Sequence, residues 1–183
     1  MRTDDLQMTA EAERGVEDAV RARDFDALYE KHAAFVWRTL RNLGVDGADV
    51  EDAAQEVFTT LFRKLGTFAG RSSFRTWLCG IAVGVARNHT RKRSRRAGLG
   101  TPASAAGAPS LSESAEAHDL VRRCLDDLDE GLRMVFILAE LEQLTAPEIA
   151  EALTLNVNTV YSRLRLARQR FESSLEHHGG PRP

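Results

Sequence analysis

LTAPEIAEALTLNVNTVYSRLRLARQRFESSL, residues 144–175, is the stretch whose reading decides the fold. Thr145 and Glu148 stand three apart, which is the spacing of a capping box, and Pro147 is tolerated in a first helical turn. A short helix then places Ile149 and Leu153 inward. Thr154-Leu155-Asn156 forms the turn, and Asn156 is a ready cap for the helix that follows. That helix buries Val160, Leu164, Ala167 and Phe171 at helical spacing. Short helix, three-residue turn and longer basic helix make a helix-turn-helix. The outward stripe of the second helix is Asn158, Tyr161, Ser162 and Arg165, flanked by Arg163, Arg168 and Arg170. Amide, hydroxyl and guanidinium groups can read base edges in a major groove, and arginine can also clamp phosphate. An ordinary solvated basic face is the competing reading of that stripe.

Upstream, Leu120, Val121, Cys124, Leu125 and Leu128 fit one face of a helix, and Leu132, Val135, Phe136 and Ala139 fit another. Before them, AGLGTPASAAGAPSLSESAE (97–116) has no aromatic residue and is rich in Ala, Gly, Ser and Pro. It cannot bury enough surface to offset its ordering entropy, so it reads as a flexible linker. Its reach is at most roughly 66 Å.

The other side of the linker is again helical. Phe25, Leu28, Tyr29, Phe35, Val36 and Leu40 share a helical face, which Gly44 and Gly47 bring to an end. Asp46 or Asp49 is placed to cap a second helix. Its inward stripe is Val50, Ala53, Ala54, Val57, Leu61 and Leu65, and its outward stripe is Asp52, Gln55, Glu56, Thr59 and Arg63. The outward stripe has the wrong charge to hold DNA. It reads either as a docking surface for a protein or as a solvated helix face. A third helix starts near Ser73 with Phe74, Trp77, Leu78, Ile81, Ala82 and Val85 inward. β-Branched residues are too scattered for a sheet, and no strand is expected. The expectation is an all-α chain of two small helical domains joined by a flexible linker, the C-terminal one a helix-turn-helix. Its parts are an extension (1–22), a first domain (23–96), the linker (97–116), a second domain (117–176) and a tail (177–183).

Charge singles out GRSSFRTWLCGIAVGVARNHTRKRSRR, residues 70–96. It holds eight Arg or Lys and no acid, in a chain whose formal charge is −2, so the remainder sums to about −10. Arg87, Arg91, Lys92, Arg93, Arg95 and Arg96 can track a phosphate backbone. Neutralising about six phosphates gives a log–log salt slope of roughly −5. Thr76, Gly80, Gly84, Arg87 and Arg91 form one stripe. Each interior glycine costs a helix about 1 kcal/mol relative to alanine, which is reasonable where a nucleic acid or another helix approaches closely; loose packing is the plainer reading. The polar loop Gly70-Arg71-Ser72-Ser73 lies among Phe68, Phe74 and Trp77, and aromatic faces with arginine suit unstacked single-stranded bases. Core packing is the plainer reading of Phe74 and Trp77.

Other functions find little support. The five histidines show no metal spacing, and no nucleophile elbow, phosphate loop or paired-carboxylate motif is present, so no cofactor, metal or enzymatic activity is expected. Cys79 and Cys124 are isolated and read as small apolar helix residues. The longest apolar run, MVFILA from Met134, is too short to cross a bilayer. The N-terminus has no apolar signal core, and the protein is read as cytoplasmic.

Taken together, FDALYEKHAAFVWRTLRNL, DVEDAAQEVFTTLFRKL, FAGRSSFRTWLCGIAV and the helix-turn-helix resemble, in order and spacing, the two-domain extracytoplasmic-function (ECF) sigma factors of the sigma-70 family. The D-x-x-Q-E-V-F and F-R-T-W-L runs are the specific signals. The resemblance implies a factor that binds core RNA polymerase and directs promoter recognition, −10 melting and transcription initiation. Asp52, Gln55, Glu56, Val57 and Phe58 would match the surface that docks on the clamp helices of the polymerase β′ subunit. Arg71, Ser72 and Ser73 would match the loop that captures an unpaired −10 base, and Thr76, Arg87, Asn88 and Arg91 the helix beside that element. Asn158, Thr159, Tyr161, Ser162, Arg163 and Arg165 would match the −35 reader. The polymerase β flap, duplex and single-stranded promoter DNA, and an anti-sigma protein are the other partners it implies. Some positions depart from the family's pattern. Gly84 and Asn88 stand where Asn and Asp are frequent. Thr154 stands where Gly is common, and a β-branched residue there is expected to relax the turn. Asp129 replaces a frequent Pro, a change expected to matter little. A duplex-operator regulator and a protein-binding decoy are the rival readings of the same residues.

Overall fold

The computed structural model describes residues 24–98 and 113–179. The extension, the middle of the linker and residues 180–183 lie outside them. The chain divides into two compact units, Met1–Arg96 and Ala97–Pro183. Every regular element among the described residues is helical.

The first unit contains α1 (Phe25–Asn42), α2 (Val50–Lys64), a 3-10 turn (Leu65–Thr67) and α3 (Phe74–Gly98). Asp24 starts α1 by accepting from the Ala27 N–H at 3.1 Å. Gly44 ends it at φ +84°, a conformation only glycine adopts without strain. Asp49 occupies the cap position of α2 without a side-chain bond, and Asp46 instead closes the preceding turn on the Ala48 N–H. The inward stripe of α2 is buried as its periodicity predicts, and Leu28, Leu40, Leu61 and Leu78 are fully enclosed. Truncating any of these leucines to alanine is expected to cost about 2–5 kcal/mol.

Tyr29, expected inward, is 44% exposed, whereas His32 and Thr39 are buried. The early part of α3 is buried on more than one side: Thr76, Cys79, Val83 and Ala86 are enclosed along with Phe74, Leu78, Ala82 and Val85. The buried face of α3 is therefore wider than a single stripe, and its basic half continues beyond the core.

The second unit contains α4 (Glu113–Asp126), α5 (Glu130–Phe136), a π-helical turn (Ile137–Leu141), α6 (Ala146–Leu153) and α7 (Val157–Gly179). Both ends of the stretch read as linker are therefore helical, since α3 runs to Gly98 and α4 begins at Glu113. Helix α7 packs against α4, α5 and α6. Cys124, Leu128, Leu132, Val135, Ile149, Val160 and Ala167 form the core, and Val121, expected inward, is 38% exposed. Met134 in α5 is buried in addition to the expected face, and so are Ile137 and Leu138 in the π turn, where the Glu142 N–H reaches the Ile137 carbonyl at 3.1 Å. Asp129, expected to matter little, caps α5 by accepting from the Leu132 N–H at 3.0 Å.

Candidate nucleic-acid and partner interfaces

The helix-turn-helix is built as its capping residues dictate. The Glu148 carboxylate accepts from the Thr145 N–H at 2.8 Å and from its hydroxyl at 2.7 Å. The turn does not relax at Thr154: the residue keeps the left-handed conformation, φ 54° and ψ 49°. The Leu155 N–H closes on the Ala150 carbonyl at 2.8 Å, which holds it there. Asn156 then caps α7 by accepting from the Asn158 N–H at 2.8 Å. With both helix ends anchored, the first turns of α7 present Asn158, Tyr161, Ser162 and Arg165 on one exposed face. Tyr161 is 57% exposed.

The other arginines of α7 are committed to the domain. Arg168 pairs with Glu140 at 2.7 Å, and Arg170 with Asp129 at 3.1 Å. Arg163, named with the base readers, is half-buried. A methyl group added at Gly131 would lie 3.6 Å from its Nη1, so the guanidinium lies over the start of α5 rather than beside Arg165. Thr159 is half-buried too, and its carbonyl accepts from the Ser162 hydroxyl at 3.0 Å. Arg165 has no ion-pair partner among the described residues.

In the first unit, Ser73 starts α3. Its Oγ accepts from the Thr76 N–H at 3.1 Å and meets the Thr76 hydroxyl at 2.8 Å. Thr76 is fully buried by this cap, so it supports the loop and offers no surface to a strand. Gly70 turns the loop at φ +64°, and Arg71 is exposed beside it. Phe68, Phe74 and Trp77 pack on one another at centroid distances of 5.2–5.7 Å, with Phe74 enclosed and the other two partly open. Below them His32 lies 5.1 Å from the Phe74 ring. Burial, with Lys31 and Arg75 nearby, pushes its pKa down to about 4, so it is neutral at physiological pH.

Beyond the core, α3 presents Gly84, Asn88 and Arg91 outward, with Arg87 half-buried alongside. An added Cβ at Gly84 would meet nothing within 4 Å, so packing within the unit does not require glycine there. Arg93 leans to Asp46 at 3.8 Å, which removes one of the cations expected on a phosphate backbone.

On α2, Asp52, Gln55, Thr59 and Arg63 are exposed, and Glu56 is half-exposed. Val57 and Phe58, named with this surface, are 0% and 4% exposed; at 3.6 residues per turn they fall with Ala54 and Leu61 on the core side. Phe58 forms the floor of a groove of about 540 Å³ between α1 and α2, walled by Phe25, Tyr29, Trp37 and Phe62, with Gln55 and Thr59 on its rim. Phe62 is 66% exposed. This aromatic groove escaped the sequence reading because Tyr29 sits in an inward-facing pattern and Trp37 and Phe62 are single aromatics on polar faces.

Among the described residues no group of His, Cys, Asp or Glu could hold a metal ion, and no helix is long and apolar enough to cross a membrane. Cys79 and Cys124 are buried and form no disulfide among the described residues.

Known proteins match both units. The sigma-70 region 2 model matches residues 28–96, and the sigma-70 region 4 model matches residues 118–171. The ECF RNA polymerase sigma-E factor of Escherichia coli K12 is 33% identical over 146 residues, covering 72% of this chain and 76% of its own. The RNA polymerase sigma-H factor of Pseudomonas aeruginosa is 31% identical over 190 residues, covering 94% of each chain. Among solved structures, CnrH in complex with the cytosolic domain of CnrY aligns with TM-score 0.65 and 26% identity, over 88% of this chain and 94% of that one. The sigma factor RpoE of Bartonella quintana, in complex with the anti-sigma factor NepR, aligns with TM-score 0.70 and 22% identity, over 84% and 98%.

Proposed function

This chain belongs to the ECF sigma factors of the sigma-70 family, and on that premise we propose how its two units divide the work of promoter recognition. The protein binds core RNA polymerase and directs initiation at a particular set of promoters. It is a non-enzymatic factor of the cytoplasm. The polymerase supplies the chemistry, and this chain supplies position.

The exposed face of α2 docks on the polymerase clamp helices through Asp52, Gln55 and Glu56. Val57 and Phe58 hold that face from beneath, and the aromatic groove beside it widens the contact. The acids have the wrong charge for DNA, and exposed aromatics are enriched at protein interfaces. On α3, Asn88 and Arg91 with Arg87 lie along the −10 strand, and Gly84 lets it come close. Arg71, Ser72 and Ser73 form the loop that takes an unpaired base, with Phe68 and Trp77 as partly open aromatic faces near it. In the second unit, Asn158, Tyr161, Ser162 and Arg165 enter the major groove at −35 beneath the polymerase β flap. Because α3 runs to Gly98 and α4 begins at Glu113, the fourteen residues between them reach at most roughly 46 Å, somewhat more than one turn of DNA. The acidic balance of the rest of the chain limits DNA binding by the free protein, so promoter affinity arises on polymerase. An anti-sigma protein is the fitting regulator, as one structure of similar fold is a sigma factor in complex with an anti-sigma factor.

The observation that carries this reading is the separation of sign within the first unit: α2 presents Glu51, Asp52 and Glu56, and α3 presents Arg91 and Lys92 with no acid beside them. The test adds the purified protein to core polymerase on a genomic DNA library and maps transcript 5′ ends. A shared pair of upstream boxes, absent with core alone, is the expected result. A palindromic footprint formed without polymerase would replace it with a duplex-operator regulator.

A further inference from the structure

Glu56 differs from the neighbouring acids of α2 in being tied to another helix. Its Oε2 accepts from His89 Nε2 at 3.1 Å, across 33 residues of chain. The His89 side chain is 13% exposed and that of Glu56 is 43% exposed. An ionised carboxylate only accepts, so Nε2 carries the hydrogen whichever charge state the ring adopts. The imidazole is held by the packing of α3, and through this bond it fixes the position of a carboxylate that stands half in solvent. An untethered glutamate on a helix surface samples several rotamers and loses that freedom when a partner binds.

We infer that His89 is a positioning residue for polymerase docking: it pre-orients the Glu56 carboxylate, leaving the second oxygen for a donor on the partner. This rests on the reading of α2 as the docking face. Asn88 and Arg91 belong to the same turn of α3 as His89. The polymerase contact and the strand-holding helix therefore meet at a single hydrogen bond.

The test measures the affinity of labelled full-length protein for core polymerase in a double-mutant cycle, with thermal unfolding of each variant alongside. His89→Phe keeps the bulk and removes the donor, and it is expected to weaken binding roughly three- to tenfold. His89→Gln restores a donor and is expected to stay within about threefold of the wild type. Glu56→Ala is expected to weaken binding, and adding His89→Phe to it should produce no further loss. Fully additive losses would mean that His89 acts through the fold and not through Glu56, which overturns the inference. Wild-type affinity of His89→Phe beside a weakened Glu56→Ala overturns the inference and leaves the docking face standing. Wild-type affinity of Glu56→Ala removes the docking role of this acid, and the inference falls with it. If His89→Phe unfolds early, His89→Gln decides: a loss as large as that of Glu56→Ala overturns the inference.

Discussion

One carboxylate joins two helices of the second unit: Asp129 accepts from the Leu132 N–H through Oδ1 at 3.0 Å and holds Arg170 of α7 through Oδ2 at 3.1 Å. The cap satisfies an orphan donor at the start of α5, and the ion pair fastens that start to α7, the second helix of the helix-turn-helix. The pair is exposed, so the cap is the larger contribution.

Asp129→Ala is therefore expected to destabilise the protein by about 1 kcal/mol, mostly from the lost cap. Asp129→Asn keeps a capping oxygen and loses only the charge, so its cost should be a few tenths of a kcal/mol. Urea unfolding of the two variants checks this. Equal losses would give the ion pair the larger share.

His32 gives the first unit an acid sensitivity. Its folded pKa of about 4 lies below the unfolded value near 6.5, because burial, Lys31 and Arg75 all disfavour the imidazolium. Between those values the unfolded chain binds more protons than the folded one, so stability rises with pH across this window. On acidification from about pH 6.5 to 4, the expected loss is on the order of 3 kcal/mol. Chemical unfolding from pH 7 to 4.5 should show the slope in the wild type and a flatter one in His32→Leu. Parallel slopes would place the acid sensitivity elsewhere.

The architecture was legible because its signals are local. Thr145, Glu148 and Asn156 cap the elements that their spacing announces, and the inward stripe of α2 is buried residue for residue. Where several elements converge, a single-helix period says less. Thr76, Val83 and Cys79 are enclosed on faces of α3 that the main stripe leaves out, and Ile137 and Leu138 are buried in a π turn. The site residues divide on the same line. Asp52, Gln55, Asn158 and Arg165 are exposed, and they stand on simple amphipathic faces. Val57, Thr76 and Arg163 turn inward, because a run of motif letters includes the residues that support a surface as well as those that form it. The Asp129–Arg170 and Glu56–His89 contacts join residues far apart in the chain, and no local pattern announces them.

Gly84 offers a test in which stability and function move in opposite directions. Its added Cβ would meet nothing within 4 Å, so Gly84→Ala is expected to stabilise α3 by about 0.5–1 kcal/mol. If the promoter strand passes close to this turn, the same methyl group obstructs it. Unfolding should shift to higher urea while promoter opening, followed with a fluorescent base in the −10 element, slows on unchanged polymerase binding. Faster or unaltered opening would mean that the glycine serves no close approach.

Arg165 and Arg163 are two residues apart in one helix, yet the fold gives them different tasks. Arg165 is exposed, with no ion-pair partner among the described residues, on the face with Asn158, Tyr161 and Ser162. Arg163 lies over Gly131. Arg165→Ala is expected to weaken binding of polymerase holoenzyme to its own −35 box by about 1–3 kcal/mol, and to weaken binding to a scrambled box much less. Equal losses on the two DNAs would make Arg165 a phosphate contact. Arg163→Ala should leave that discrimination intact and lower the thermal stability of the second unit, because it removes packing at the start of α5. The helix-turn-helix anchors the arginines around Arg165, and among the described residues Arg165 stays exposed with no ion-pair partner, which is why its substitution is the one that tests base reading.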